Sequence, residues 1–136
     1  MKQFEKCMNV IGFFASSSRV ICSPPVLTTD EDYVIYTDKP SDLKKELTDL
    51  GYVYSAVDAE KYKTSDKPAF EAYNRFDTYR HPVTNENLIV VFSTRDFRKW
   101  RTSTLLATKL NLTKKEDRVA LFRVVRSEGQ LFDSWG

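Results

Sequence analysis

The chain has 136 residues, 41% hydrophobic and 29% charged, with a net charge of +2 at pH 7; this suits one soluble domain around one core. No apolar run approaches the roughly 20 residues that span a bilayer, and Glu5, Lys6 and Asn9 interrupt the first fifteen positions, so no secretory leader is read there and a cytoplasmic location is expected. Two cysteines, Cys7 and Cys22, with no CxxC and no nearby histidine, exclude a disulfide framework and a zinc site.

Taken in chain order, Phe4, Cys7, Met8 and Ile11 fall at i, i+3, i+4 and i+7, which predicts an amphipathic helix stopped by Gly12 as a C-cap. Residues 13–16 read as a short buried strand. Residues 17–22 begin a turn or short helix that Pro24-Pro25 cannot continue. A second strand follows, completed by residues 33–37. Ser41 as N-cap and Asp42 in the first turn open a helix with a Leu43, Leu47, Leu50 stripe, ended by Gly51. Residues 52–57 are strand-like and 58–68 a polar loop. Residues 76–80 and 88–92 read as a hairpin around His81-Pro82-Val83-Thr84-Asn85.

Residues 94–110 are then helical, with Phe97, Trp100, Ala107 and Leu110 on one side, and Trp100 is expected in the core. Thr113 and Glu116 form a capping box for a last helix through about residue 126. This gives one domain over residues 1–126 and a tail over 127–136. The order of elements fits an α+β fold, a mixed sheet with helices packed mainly on one face.

The chemistry concentrates near Ser16-Ser17-Ser18-Arg19 and Thr29-Asp30-Glu31-Asp32. On a strand, Asp30 and Asp32 point to one face and Glu31 points away. Two hard oxygen ligands on a rigid element suit Mg²⁺, which takes one or two carboxylates plus substrate phosphates. Ser17 and Ser18 in a tight turn offer backbone N–H groups and hydroxyls to those phosphates, and Arg19 offers a bidentate contact. Tyr36 and Asp38, just beyond the strand, are expected to border the pocket. His81, the lone histidine, lies in a turn and reads as structural. No Walker loop, GxGxxG or Ser-His-Asp pattern is present.

Phe13-Phe14-Ala15-Ser16, then Ser17-Ser18, then Thr29-Asp30-Glu31-Asp32 on an apolar strand resembles the DNA polymerase beta-like nucleotidyltransferase superfamily. Tyr79-Arg80, residues 87–91 and residues 117–122 extend the resemblance to the small single-domain nucleotidyltransferase-like proteins of tailed bacteriophages. It covers most of residues 8–126. Ser17 stands where that family has glycine. The strand that carries the family's third carboxylate reads Asn85-Glu86-Asn87 here, so amides stand at 85 and 87 and Glu86 is the one acid available.

The resemblance implies a minimal nucleotidyltransferase fold with Asp30, Asp32 and Glu86 as catalytic residues, Asp30 and Asp32 as metal ligands, and Mg²⁺ or Mn²⁺ as cofactor. It implies transfer of a nucleoside monophosphate from a nucleoside triphosphate to an RNA, protein or small-molecule acceptor, with a role in host takeover. The alternative is a catalytically degenerate scaffold that binds and inhibits a host target.

Charge is uneven along the chain. Residues 95–126 hold ten basic and three acidic side chains. Arg98, Lys99, Arg101, Lys114, Lys115 and Arg118 are therefore candidates for contacting RNA or another polyanion. The bland alternative is a solvated helix face.

Overall fold

In a computed structural model, residues 2–16, 31–55 and 76–126 are described. Short β-prone runs build a five-stranded mixed sheet in the order β1-β2-β5-β4-β3, and its central strands carry continuous apolar stretches because both faces are covered. The strands are β1 (Gly12–Ala15), β2 (Glu31–Tyr36), β3 (Val53–Tyr54), β4 (Phe76–Arg80) and β5 (Glu86–Val91). β2 and β5 run parallel at the centre, and every other neighbouring pair is antiparallel. Three α-helices complete the described residues: α1 (Pro40–Asp49), α2 (Thr94–Lys109) and α3 (Lys115–Arg126). The class is α+β, as expected, and no described helix is long and apolar enough to cross a membrane.

Strand alternation divides the core in two. Val34 and Val91 face Trp100 and Ala107 of α2 and Phe122 of α3. Ile35, Leu88 and Val90 face Leu43 and Leu47 of α1, together with Phe4, Cys7 and Tyr52. Two of the three helices thus share one face. Trp100 is fully buried, with Phe76 and Phe122 edge-on to it.

The N-terminal segment departs from the predicted helix. Only Gln3–Lys6 is helical, as a 3-10 turn. Phe4 and Cys7 are buried, but Met8 is 92% exposed and Ile11 57% exposed. The reason lies in α1. The Glu46 carboxylate accepts from the Met8 N–H at 2.7 Å, the Asn9 N–H at 3.1 Å and the Asn9 amide at 2.6 Å. Those backbone donors are what a continuing helix would need. Burial pushes the Glu46 carboxyl up, yet these hydrogen bonds hold it below its ordinary value. The Ile11 N–H then donates to the Tyr36 carbonyl, so Gly12 enters a strand instead of capping a helix.

Two further local expectations change. Lys39, not Ser41, is the N-cap of α1, with Pro40 at the first helical position, where a missing N–H costs nothing. Leu110 is exposed at the end of α2 and does not share the face of Trp100. Gly51 does end α1. At φ +93° it lets the Tyr52 N–H reach the Leu47 carbonyl and its own N–H reach Thr48.

Candidate functional site

Parallel pairing of β2 with β5 sets Asp32 beside Asn87 and Glu31 beside Glu86. Side chains at Asp32, Val34 and Tyr36 share the α2 face with those at Asn87, Ile89 and Val91. The Asn87 amide N–H donates to Asp32 Oδ1 at 3.0 Å. That bond fixes the amide's orientation and leaves Asn87 Oδ1 buried with no hydrogen-bond partner among the described residues. A buried carbonyl oxygen without a donor is uncommon and calls for an explanation such as an ion or water.

The end of β1 and the second half of α2 close over the same edge. The Ser16 N–H donates to the Asp32 carbonyl at 2.8 Å, and Ser16 Oγ lies 2.8 Å from Thr104 Oγ1. Thr104 also donates to the Trp100 carbonyl at 3.0 Å. Ser16 opens the hydroxyl run that the sequence marks, whereas Thr104 is not among the expected site residues. The available signal was a hydroxyl run, Thr102-Ser103-Thr104, on a helix whose neighbours Trp100 and Ala107 are apolar.

Glu86 does not join Asp32, because register places it on the opposite face. It is 2% exposed and accepts the Tyr52 hydroxyl at 2.8 Å. Burial, then the hydrogen bond and charge of Glu86, pushes the Tyr52 phenol far above its ordinary value. Glu31, on that same face, pairs with Lys2 and accepts from the Tyr33 hydroxyl at 3.2 Å. The acid expected to complete a carboxylate triad is thus held in a different polar cluster, across the sheet from Asp32.

Asp30, Ser17, Ser18 and Arg19 lie outside the described residues. Tyr36 and Asp38 do not border Asp32: they sit at the far end of β2, where Tyr36 packs on Phe97. Among the described residues, no group of three or more His, Cys, Asp or Glu side chains could hold a metal. The oxygen donors on the Asp32 face are its carboxylate and Asn87 Oδ1. Both are hard ligands of the kind Mg²⁺ takes, and the orphaned oxygen leaves a lone pair to give.

His81 is buried at the hairpin turn. Its Nε2 meets the Leu50 carbonyl at 3.0 Å, and its Nδ1 accepts the Val83 and Thr84 N–H groups at 3.2 and 3.3 Å. Those partners require Nε2–H and a bare Nδ1. The ring is a structural cap.

The basic candidates separate. Arg98, Arg101, Lys114 and Lys115 are exposed, and Lys99 is half-buried. Arg118 is half-buried and donates to the Leu112 carbonyl at 2.9 Å, so it closes the α2–α3 turn. No family model matches the chain, and neither the curated proteins nor the solved structures contain a match.

Proposed function

We propose that the chain is a metal-dependent nucleotidyltransferase-like protein that binds a nucleoside triphosphate at the Asp30–Asp32 edge of β2 and moves its nucleoside monophosphate to an acceptor. The observation that carries this reading is the Asp32–Asn87 pair. A carboxylate and an amide whose buried carbonyl oxygen has no hydrogen-bond partner among the described residues stand side by side near the start of two parallel strands. The Thr29-Asp30-Glu31-Asp32 sequence adds a second carboxylate two residues away.

Asp32 and Asp30 would hold Mg²⁺ or Mn²⁺, with Asn87 Oδ1 as a neutral third donor. When bound, the ion supplies charge that clamps the triphosphate and lowers the pKa of an attacking hydroxyl. Asn87 holds the Asp32 carboxylate in one orientation through its N–H. Ser16 and Thr104 tie the end of β1 to α2 and fix the wall beside it.

A second reading, a degenerate scaffold that binds nucleotide or a host protein without transfer, is favoured by one fact. The only acid at the start of β5, Glu86, is buried across the sheet under Tyr52.

The test uses purified protein, Mn²⁺, each α-labelled nucleoside triphosphate, and RNA or host lysate as acceptor. Transfer that disappears in Asp32→Ala and rises in Asn87→Asp supports the enzyme. Metal-coupled nucleotide binding without transfer, in wild type and Asn87→Asp alike, supports the degenerate scaffold. Binding or transfer unaffected by Asp30→Ala with Asp32→Ala removes the site altogether.

A further inference from the structure

Register lines up one row of polar side chains across the α2 face of the sheet. Ser16 sits beside Asp32, Asp32 beside Asn87, and Asn87 beside Arg80 of β4. Residues directly opposite on neighbouring strands share a face. The Asn87–Asp32 hydrogen bond and the Ser16–Thr104 contact fix which face that is. The next row on it reads Phe14, Val34, Ile89 and Thr78, and the one after Gly12, Tyr36, Val91 and Phe76. Polar groups therefore collect at one end of a mostly apolar face. Arg80 is two strands from Asp32, about 10 Å at the usual strand spacing. It is exposed, whereas Asn87 is half-buried and its Oδ1 buried. The row thus opens to solvent at β4.

Charge decides what fits there. A divalent cation on Asp32 and Asn87 Oδ1 would stand one strand from Arg80, a second cation, and the two would repel. An anion between them is attracted by both. The planar fork of guanidinium donors matches phosphate oxygens, which it takes in bidentate fashion. A nucleoside without phosphates gives Arg80 no charge to neutralise.

We propose that Arg80 is the phosphate-binding arm of the Asp32 edge, holding the phosphate chain of the nucleotide from the β4 side while the metal holds it from the β2 side. The proposal rests on the metal reading of that edge and names an oligophosphate as what the edge recognises.

The test is titration calorimetry of the full chain with Mn²⁺ alone, with inorganic tripolyphosphate in Mn²⁺, and with adenosine in Mn²⁺. Wild type should bind Mn²⁺ and tripolyphosphate and not adenosine. Arg80→Gln should weaken tripolyphosphate about tenfold, the worth of a hydrogen bond to a charged group. Arg80→Lys should weaken it less, because the charge survives without the fork. Both variants should bind Mn²⁺ alone as wild type does and keep its thermal midpoint, as substitutions at exposed positions usually do. Lys45→Gln makes the same charge change on α1, across the sheet, and should bind as wild type. Intact Mn²⁺ binding with tripolyphosphate absent, indifferent to Arg80→Gln, or weakened as much by Lys45→Gln overturns this proposal alone. No Mn²⁺ binding in wild type overturns the metal reading and this proposal with it.

Discussion

The Tyr52 hydroxyl donates to Glu86 at 2.8 Å inside the α1 side of the core, with both residues almost fully buried. Glu86 is thereby a structural acid. Tyr52→Phe removes the donor and leaves a buried carboxyl oxygen unsatisfied, which costs about 1–3 kcal/mol. Urea denaturation should show that loss, while nucleotide binding in Mn²⁺ stays unchanged. A loss of binding with unchanged stability would return Glu86 to the site.

The Asp32–Asn87 pair predicts a different response. Asn87→Asp puts two carboxylates side by side across the β2–β5 ladder. Without metal they repel, so the thermal midpoint should fall below that of wild type, and one carboxyl should titrate well above its ordinary value. Added Mn²⁺ should restore the midpoint in Asn87→Asp and raise it less in wild type, because ligand binding to the folded state stabilises by mass action. A midpoint insensitive to Mn²⁺ in both proteins counts against any metal at this edge.

Much of the sheet is legible because β2, β4 and β5 are short runs rich in β-branched and aromatic residues, and Gly51 carries an unambiguous stop for α1. Burial of Trp100 followed from its place among Phe97 and Ala107. The apolar spacing of the N-terminal segment is genuine, yet only Gln3–Lys6 is helical. What redirects it is Glu46, thirty-seven residues from Asn9, and no local pattern reports that contact. Glu86 departs from expectation for a related reason. Parity between β2 and β5 depends on register, and a one-residue slip exchanges the two faces. Of the basic candidates, Arg118 looked like its neighbours in sequence, but its guanidinium is taken by the Leu112 carbonyl.

Gly51 and His81 are coupled. A Cβ on Gly51 would lie 3.0 Å from His81 Nε2, the atom that meets the Leu50 carbonyl. Its φ of +93° disfavours any side chain as well. Gly51→Ala should therefore cost about 1–3 kcal/mol, combining backbone strain with displacement of the ring. In a His81→Ala background the same change should cost less, since only the strain remains. Equal costs in both backgrounds, measured by denaturation as a double-mutant cycle, would mean the ring is not displaced.

Alkaline stability is the last prediction. Burial, and secondarily the Glu46 charge, pushes the Cys7 thiol from 9.0 up to about 11. Burial, with Asp77 and Tyr54 adding to it, likewise pushes the Tyr79 phenol from 10.0 up to about 12. Between the unfolded and folded values, the unfolded chain binds fewer protons than the native one, so stability falls as pH rises. The contribution of Cys7 is complete below pH 9 and is lost as pH climbs through about 11; that of Tyr79 is lost one unit later. Urea midpoints should decline across this window. Cys7→Ala, less stable at neutral pH because it empties a buried position, should flatten the part of the decline between pH 9 and 11. In a Cys22→Ala background, iodoacetamide should alkylate Cys7 slowly in the native protein and quickly in urea, since the thiolate is the nucleophile. Fast native alkylation at neutral pH would place this thiol in solvent and remove it from the alkaline transition.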